Sequence, residues 1–146
     1  MKDSEFKALP HCVGANKIAS CGTEVAKGYK PDLTVSDTNG HLAFIFECEQ
    51  KTDRKSFLGD LIKAEKHAED VREHPVLVIV MQLYKNTTAQ QIADHLRPYA
   101  KWIARLKGRS LNLTDILVVS DEEYKHSVEA TELLGSQEFR ARTIPV

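Results

Sequence analysis

Three carboxylates are spaced along the chain so that they could meet and bind a metal ion. Asp32 follows Pro31, and Glu47 and Glu49 come later, separated by one residue. Carboxylates within several Å of one another repel, so at neutral pH they either share protons, with raised pKa values, or bind a cation. Their oxygens suit Mg²⁺ or Mn²⁺, whose remaining positions are filled by water and substrate phosphate. A metal ion held in this way can polarise a phosphodiester and generate hydroxide from water.

A β-hairpin would position these acids. The dipeptide Asn39-Gly40 lies between two runs of alternating apolar residues and predicts a two-residue type I′ turn, because both residues tolerate positive φ. With that turn, stepping back along both strands brings Asp32 directly opposite Glu47. Glu49 then projects on the same face as Glu47, because side chains alternate along a strand.

The other face of the hairpin supports the same register. It pairs Leu33 with Phe46 and Val35 with Phe44, which gives an apolar face that can pack on helices. A slip of one residue would move every side chain to the opposite face. The pattern therefore specifies the register, and it places the acids at one end of the hairpin.

Size and composition predict one globular domain over residues 1–146. The chain has 146 residues, 42% hydrophobic and 28% charged, with a net charge of −1, which is enough for one core and is not typical of disorder. No apolar run approaches the roughly 18 residues of a membrane span, and the N-terminus lacks a signal-peptide apolar region. We therefore expect a cytoplasmic protein with no membrane partner. Three cysteines without a C-x-x-C pair argue against a disulfide framework, and zinc held by His11, Cys12 and Cys21 would lack an evident fourth ligand.

The remaining patterns predict helices and strands around the hairpin. The continuous apolar runs VLVIVMQL and ILVVS are typical of parallel strands buried on both faces, and amphipathic or capped segments predict the helices. Strand-helix-strand crossovers after an antiparallel hairpin give a mixed sheet covered on both faces. In chain order we predict a weak helix before residue 20, a strand over 23–29, the hairpin, a helix over 55–72 and a strand from Val76. A helix from Thr88 to Gly108, kinked or divided at Pro98, follows, and then a strand over 116–120, a helix from Ser120 to Leu134 and an edge strand in the tail.

The motif at the hairpin resembles that of the PD-(D/E)xK nuclease superfamily, which includes restriction endonucleases and Holliday-junction resolvases. The likeness is carried by Pro31-Asp32, the hairpin and Glu47-x-Glu49 ahead of a helix, and it covers about residues 20 to 80. It implies an α/β fold with a restriction-endonuclease-like αβββαβ core, extended here by further C-terminal helices and a strand. It also implies a Mg²⁺- or Mn²⁺-dependent endonuclease that hydrolyses DNA. By resemblance, the metal ligands are Asp32, Glu47 and the main-chain carbonyl of Cys48.

The chain departs from the superfamily pattern at the third motif position, where Glu49 replaces the usual lysine. Some restriction enzymes of the superfamily carry an acid there and remain active, and Glu49 could act as a general base or a second-metal ligand. Lys51 shares the face of Glu47 if the strand continues, and could supply the missing positive charge. Further candidates are Lys63 and Lys66 for the cation, and Glu24 and Glu5 for an additional acid.

Basic residues suggest how DNA would be held. Lys55 follows the acids closely, and Arg97, Lys101 and Arg105 recur every fourth residue on a predicted helix. Cations at that spacing can follow a phosphate backbone. We expect DNA as the partner, no small-molecule cofactor, and a homodimer, in which one site per chain would allow both strands to be cut.

Other interpretations of the same residues remain open. The chain could be a catalytically inactive nucleic-acid-binding or protein-interaction module of the same fold. The loss of catalysis would then explain why the motif lysine is absent. An unrelated α/β protein could use the acids to bind a metal or a basic peptide. On the predicted helix, Tyr99 and Trp102 are assigned to the core and not to a base-stacking surface.

Overall fold

The computed structural model describes residues 1–50, 53–84 and 86–146. Within these ranges the chain forms one six-stranded sheet with the strands in chain order. No helix there is both long enough and apolar enough to cross a bilayer. The elements are α1 (Asp3–Lys7), β1 (Lys17–Cys21), β2 (Leu33–Asp37), β3 (Leu42–Glu49), α2 (Arg54–Val71), β4 (Val76–Met81), α3 (Ala89–Lys107), β5 (Asp115–Ser120), α4 (Asp121–Glu129), α5 (Gln137–Ala141) and β6 (Ile144–Pro145).

The sheet is mixed, as the sequence predicts. β2 pairs antiparallel with both β1 and β3, whereas β3, β4 and β5 are parallel to one another. β6 adds an antiparallel edge beside β5, which confirms the predicted strand in the tail. The crossover helices α2 and α3 each return the chain from the carboxyl end of one parallel strand to the amino end of the next. The carboxyl ends of β3 and β4 therefore lie at the same edge of the sheet.

Two apolar cores lie on opposite faces of the sheet and confirm the α/β class. On one face, Phe46 packs with Phe6 of α1 and Tyr124 of α4. On the other face, Ile45 packs with Phe57 of α2 and with buried residues of α3. The chain thus has three layers, with helices on both sides of a buried sheet.

The hairpin between β2 and β3 keeps the predicted register at its acidic end but has a different loop. Asp37 N donates to His41 O (2.9 Å) and Gly40 N donates to Asp37 O (3.1 Å), so the loop has three residues and the predicted two-residue type I′ turn is wrong. Gly40 takes the positive φ (84°) that a three-residue loop requires. A bulge at Ala43 then compensates for the extra loop residue, and Val35 still pairs with Phe44.

Several predicted boundaries differ from the structure. The first strand is Lys17–Cys21, and the segment predicted as a strand over 23–29 instead forms a turn closed by a bridge between Ala26 and Tyr29. Gly28 in that turn has a φ of 77°, which an extended strand does not accommodate. α3 continues through Pro98 without being divided. The helix that begins after Ser120 ends at Glu129 and does not reach Leu134.

The outer face of α3 is more apolar than the sequence suggested. Tyr99 and Trp102, assigned to the core, are 38% and 49% exposed. The sheet covers only the stripe of α3 that contains Ile92 and Leu96, and α2 covers one flank, so residues further round the helix face solvent. The core prediction for Tyr99 and Trp102 is therefore wrong.

Substituting Gly135 by alanine tests the close packing of the loop before α5 against the sheet. Gly135 has a φ of 82°, and a Cβ there would lie 2.9 Å from Cζ of the buried Phe44 ring. Gly28→Ala is a matched control, because its φ is 77° and nothing lies within 4 Å. We expect Gly135→Ala to lower the free energy of unfolding by about 1–3 kcal/mol more than Gly28→Ala in urea denaturation. Equal losses would show that the Phe44 ring moves away without cost.

Candidate functional site

The predicted acids lie at the carboxyl edge of the central strands. Glu47 and Glu49 are in the last part of β3, and Asp32 directly precedes β2. Gln82 N donates to Glu49 O (3.0 Å), so the hydrogen bonds between β3 and the chain leaving β4 extend to this edge. The side chain of Glu47 points to the same face as Ile45, towards α2, and Glu47 is only 7% exposed. A carboxylate buried this deeply needs a compensating partner.

Helix α2 contributes a fourth acid, Asp60, which faces Glu47. Asp60 is 7% exposed, and burial together with the charges of Glu47 and Glu49 raises its pKa to about 9. The sequence contains a signal for this residue that we did not use. Asp60 stands three residues after Phe57 and four before Ala64, both buried, so it interrupts the apolar stripe of an amphipathic helix.

Glu47 and Asp60 each have a carboxylate oxygen without a partner. Burial is the main cause that raises the pKa of Glu47 to about 7, and the hydroxyl of Tyr29 and the charge of Lys63 oppose that shift. Among the described residues, Glu47 Oε1 and Asp60 Oδ2 are buried and accept no hydrogen bond. The hydroxyl of the neighbouring Tyr29 lies near the Glu47 carboxylate, and burial and the charge of Glu47 raise the pKa of Tyr29. Buried polar atoms are nearly always satisfied, so these unsatisfied oxygens make this edge a candidate functional site.

Asp32 lies beside this site but turns towards helix α1. Its Oδ2 accepts a hydrogen bond from the main-chain N of Cys48 (2.7 Å), and its Oδ1 lies 3.3 Å from Nζ of Lys7. Burial and the nearby carboxyl of Asp3 raise the pKa of Asp32. The charge of Asp32 still raises the pKa of Glu47, so the two acids interact electrostatically.

The acids thus form two groups at one edge of the sheet. Glu47 and Glu49 interact with Asp60 on the α2 side, whereas Asp32 interacts with Asp3 and Lys7 on the α1 side. Within the described ranges, no set of three His, Cys, Asp or Glu side chains is arranged to hold a metal ion. This also applies to the zinc ligand set considered from the sequence, His11, Cys12 and Cys21.

The donor atoms at this edge nevertheless suit a divalent cation. Glu47 and Asp60 offer buried, unpartnered carboxylate oxygens. The N–H and C=O of one strand residue point to the same side, so the carbonyl of Cys48 faces the side on which its N–H meets Asp32. Carboxylate and carbonyl oxygens are the donors that Mg²⁺ and Mn²⁺ prefer. The types of donor atom therefore match such an ion, with Asp60 as an addition to the set predicted from the sequence.

Among the candidate cations that the structure describes, Lys63 is the one close to the acids. Its charge lowers the pKa of both Glu47 and Asp60. Lys51 lies outside the described residues. The other candidate cation, Lys66, pairs with Asp70. The two candidate acids are also engaged elsewhere, because Glu5 pairs with Lys125 and Glu24 accepts a hydrogen bond from Gly28 N.

The predicted DNA-binding residues are divided between the two ends of the sheet. Lys55 is exposed in the first turn of α2, at the edge that carries the acids. Arg97 bonds to Asp94 and to the carbonyl of Pro145. Lys101 lines a cavity of about 590 Å³ near the amino ends of β4 and β5, which is the edge of the sheet opposite the acids. Arg105 lies one turn further along α3, so the basic stripe leads away from the acids.

What this site does has to be inferred from its own residues and their placement. The strongest features are the two buried carboxylates with unsatisfied oxygens, from β3 and α2, and the adjacent Asp32 and Lys63. A motif as short as Pro31-Asp32 followed by Glu47-x-Glu49 is not specific without that placement. No model of a protein family, no curated protein and no solved structure matches this chain.

Proposed function

We propose that this protein is a divalent-metal-dependent nuclease that hydrolyses phosphodiester bonds of DNA. The observation that carries the proposal is the pair of buried acids, Glu47 and Asp60, each with an unpartnered oxygen. Two ionised carboxylates in an apolar setting are strongly unfavourable unless a cation compensates them. A divalent ion would supply that charge, and its remaining ligands would come from water and a substrate phosphate.

The order of the elements also supports this proposal. The chain runs α1, β1, β2, β3, α2, β4, with β2 antiparallel to its neighbours and β4 parallel to β3. This agrees with the αβββαβ core that the resemblance to the PD-(D/E)xK nuclease superfamily implies. The acids lie where the motif of that superfamily would place them, before β2 and near the end of β3.

Each side chain of the site has a role in the proposed reaction. Glu47 and Asp60 would hold the metal, with Asp32 and the carbonyl of Cys48 as further donors. When bound, the metal supplies Lewis-acid activation and hydroxide at neutral pH. Glu49 is partly exposed at the end of β3, where it could accept a proton from water. Lys63, on α2, provides the positive charge expected from the lysine that the motif lacks.

The proposed substrate is DNA, which would approach the edge that carries the acids. Lys55 and Lys63 are exposed there and could contact phosphates on either side of the reacting one. Each chain supplies one site, so two chains acting together would cut both strands of a duplex.

A plasmid-nicking assay tests the proposal. With supercoiled plasmid and Mn²⁺, we expect metal-dependent nicking that falls at least about 100-fold in Asp60→Asn and in Asp32→Ala, because each change removes a donor. Glu129→Gln, an exposed acid on α4, is the matched control and should retain full activity. Lys63→Met and Lys51→Ala compare the two candidate cations, and unchanged cleavage in one of them excludes that lysine.

Other outcomes of the same assay decide between the alternatives. Binding of DNA without nicking at any metal concentration would identify an inactive nucleic-acid-binding module. No binding of metal or DNA would leave an unrelated α/β protein whose acids serve another purpose. Nicking that persists in Asp60→Asn would contradict the site described above.

A further inference from the structure

A basic cavity lies beside the acidic site, between the turn before β2 and helix α2. Its volume is about 340 Å³. Tyr29 and Lys63 line it and also interact with Glu47, so the cavity and the acidic site are neighbours. The other side chains that define the cavity are Lys27, Lys66, His67 and Asp70.

Positive charge exceeds negative charge around this cavity. Three lysines line it, against one carboxylate, Asp70, which is already bonded to Lys66 Nζ (2.7 Å). No described residue forms a hydrogen bond or ion pair with the ammonium of Lys27 or Lys63. The chain as a whole has a net charge of −1, so this is a local concentration of cations. Such a cavity attracts anions.

His67 adds a hydrogen-bond donor to the lining of the cavity. It is 8% exposed and lines the cavity, and its ring nitrogens form no hydrogen bond with the described residues. The ring packs against Tyr29 in an edge-to-face contact with centroids 5.8 Å apart. Burial lowers the pKa of His67, so a neutral ring can donate one N–H into the cavity. The ring nitrogens of His67 are not buried, so a ligand in the cavity can accept this hydrogen bond.

We propose that this cavity binds the terminal phosphate of a nucleotide, a phosphomonoester. A phosphomonoester carries about 1.5 to 2 negative charges at pH 7, whereas a phosphodiester carries one, so it matches a cavity lined by three lysines better. The volume is within the range of small-molecule sites. The rings of Tyr29 and His67 provide a surface against which the sugar or base can pack. Identification of the nucleotide as the end of a DNA strand rests on the proposed nuclease function, but binding of the phosphomonoester does not.

Calorimetric titration without metal tests the proposal, with deoxyadenosine 5′-monophosphate, the 3′-monophosphate, inorganic phosphate and deoxyadenosine as probes. We expect at least one monophosphate to bind and deoxyadenosine not to bind. Lys27→Met and Lys66→Met should each weaken binding by about tenfold, the loss of one charge-assisted hydrogen bond. Arg140→Met, which removes an exposed cation paired with Asp115 at the opposite edge, should leave affinity unchanged.

His67→Phe keeps the aromatic packing but removes the donor, and should also weaken binding of the monophosphate. Circular dichroism on every variant separates lost binding from lost folding. The proposal is overturned if no monophosphate binds at millimolar concentration, or if the lysine variants bind as tightly as the unchanged protein. Equal affinity for inorganic phosphate and both nucleotides overturns the nucleotide assignment.

The two proposals can fail separately. Monophosphate binding by a protein that never nicks plasmid would reject the nuclease function and keep the cavity. Metal-dependent nicking without monophosphate binding would reject the cavity and keep the nuclease.

Discussion

Glu47→Gln is expected to stabilise the metal-free protein at pH 8 and to abolish metal-dependent cleavage. Burial raises the pKa of Glu47 from 4.5 to about 7. A carboxyl group whose pKa is raised on folding stabilises the fold fully below its unfolded pKa, and this contribution is lost as pH rises through the folded pKa. The loss for Glu47 therefore spreads between about pH 4.5 and pH 7 and amounts to about 3 kcal/mol. Glutamine has nearly the same shape and stays neutral, so it avoids this loss.

Thermal unfolding between pH 5 and pH 9 in the presence of EDTA measures this effect. The variant should differ little from the unchanged protein at pH 5 and should be more stable by up to about 3 kcal/mol at pH 8. Glu129→Gln, at an exposed site, should follow the unchanged protein at every pH. A Glu47→Gln protein that is less stable at pH 8 would mean that another buried group already compensates Glu47.

Addition of Mn²⁺ should reverse the order of stability. A ligand that binds only the folded state stabilises it in proportion to its occupancy. We expect Mn²⁺ to raise the thermal unfolding midpoint of the unchanged protein at pH 8 and to have much less effect on that of Glu47→Gln. In the nicking assay, Glu47→Gln should cut plasmid at least about 100-fold more slowly. Gain of stability with loss of activity would identify Glu47 as a residue kept for function at the expense of stability.

The register of the hairpin could be predicted, but its loop could not. The alternation of apolar and acidic residues fixes which side chains share a face, and this holds for Leu33 opposite Phe46. The loop length depends on a competing interaction: Asp37 Oδ1 accepts hydrogen bonds from Asn39 N and His41 N, both 2.9 Å, and stabilises a three-residue loop. A longer loop alone would have moved Asp32 away from Glu47, and the bulge in β3 restores the pairing.

The acids differ in how far the sequence determines their positions. Asp60 was predictable from helical periodicity, because it interrupts a stripe of apolar residues on α2. The direction of Asp32 was not, because it depends on Lys7 of α1, which is distant in sequence, and on a main-chain N–H of β3. Alternation along a strand specifies a face, but it cannot specify which neighbour a residue beyond the strand end will meet.

Exposure of the α3 residues was equally hard to predict. Periodicity identifies an apolar stripe, but the width of the stripe that is buried depends on what packs beside the helix. In the described part of the chain, α2 is the helix that packs beside α3, so Trp102 remains half exposed.

Glu65→Ala is expected to destabilise the fold by about 3–5 kcal/mol, because it removes the nearest partner of the largely buried Lys107 and leaves two main-chain donors without one. Glu65 is 4% exposed and lies on α2. Its Oε1 accepts a hydrogen bond from Asn112 N (2.8 Å) and its Oε2 accepts one from Leu113 N (2.9 Å). The same carboxylate forms an ion pair with Lys107 at the end of α3. One side chain thus joins both crossover helices to the loop that leads into β5.

Glu69→Ala is the matched control, one turn along the same helix. Glu69 is 48% exposed and pairs with Arg109 (2.7 Å) and more distantly with Lys107 (3.5 Å), so solvent screens both pairs and their loss should cost no more than about 1 kcal/mol. Thermal unfolding should show a midpoint lower by about 10 °C for Glu65→Ala and nearly unchanged for Glu69→Ala.

The double variant Glu65→Ala with Lys107→Met separates the two parts of the Glu65 effect. Removing Lys107 as well eliminates the positive charge that Glu65 compensated, so the double variant should recover part of the stability lost in Glu65→Ala. The two donors from Asn112 and Leu113 stay unpaired, so recovery should be incomplete. A double variant less stable than Glu65→Ala would mean that the stem of Lys107 contributes more through packing than its charge costs.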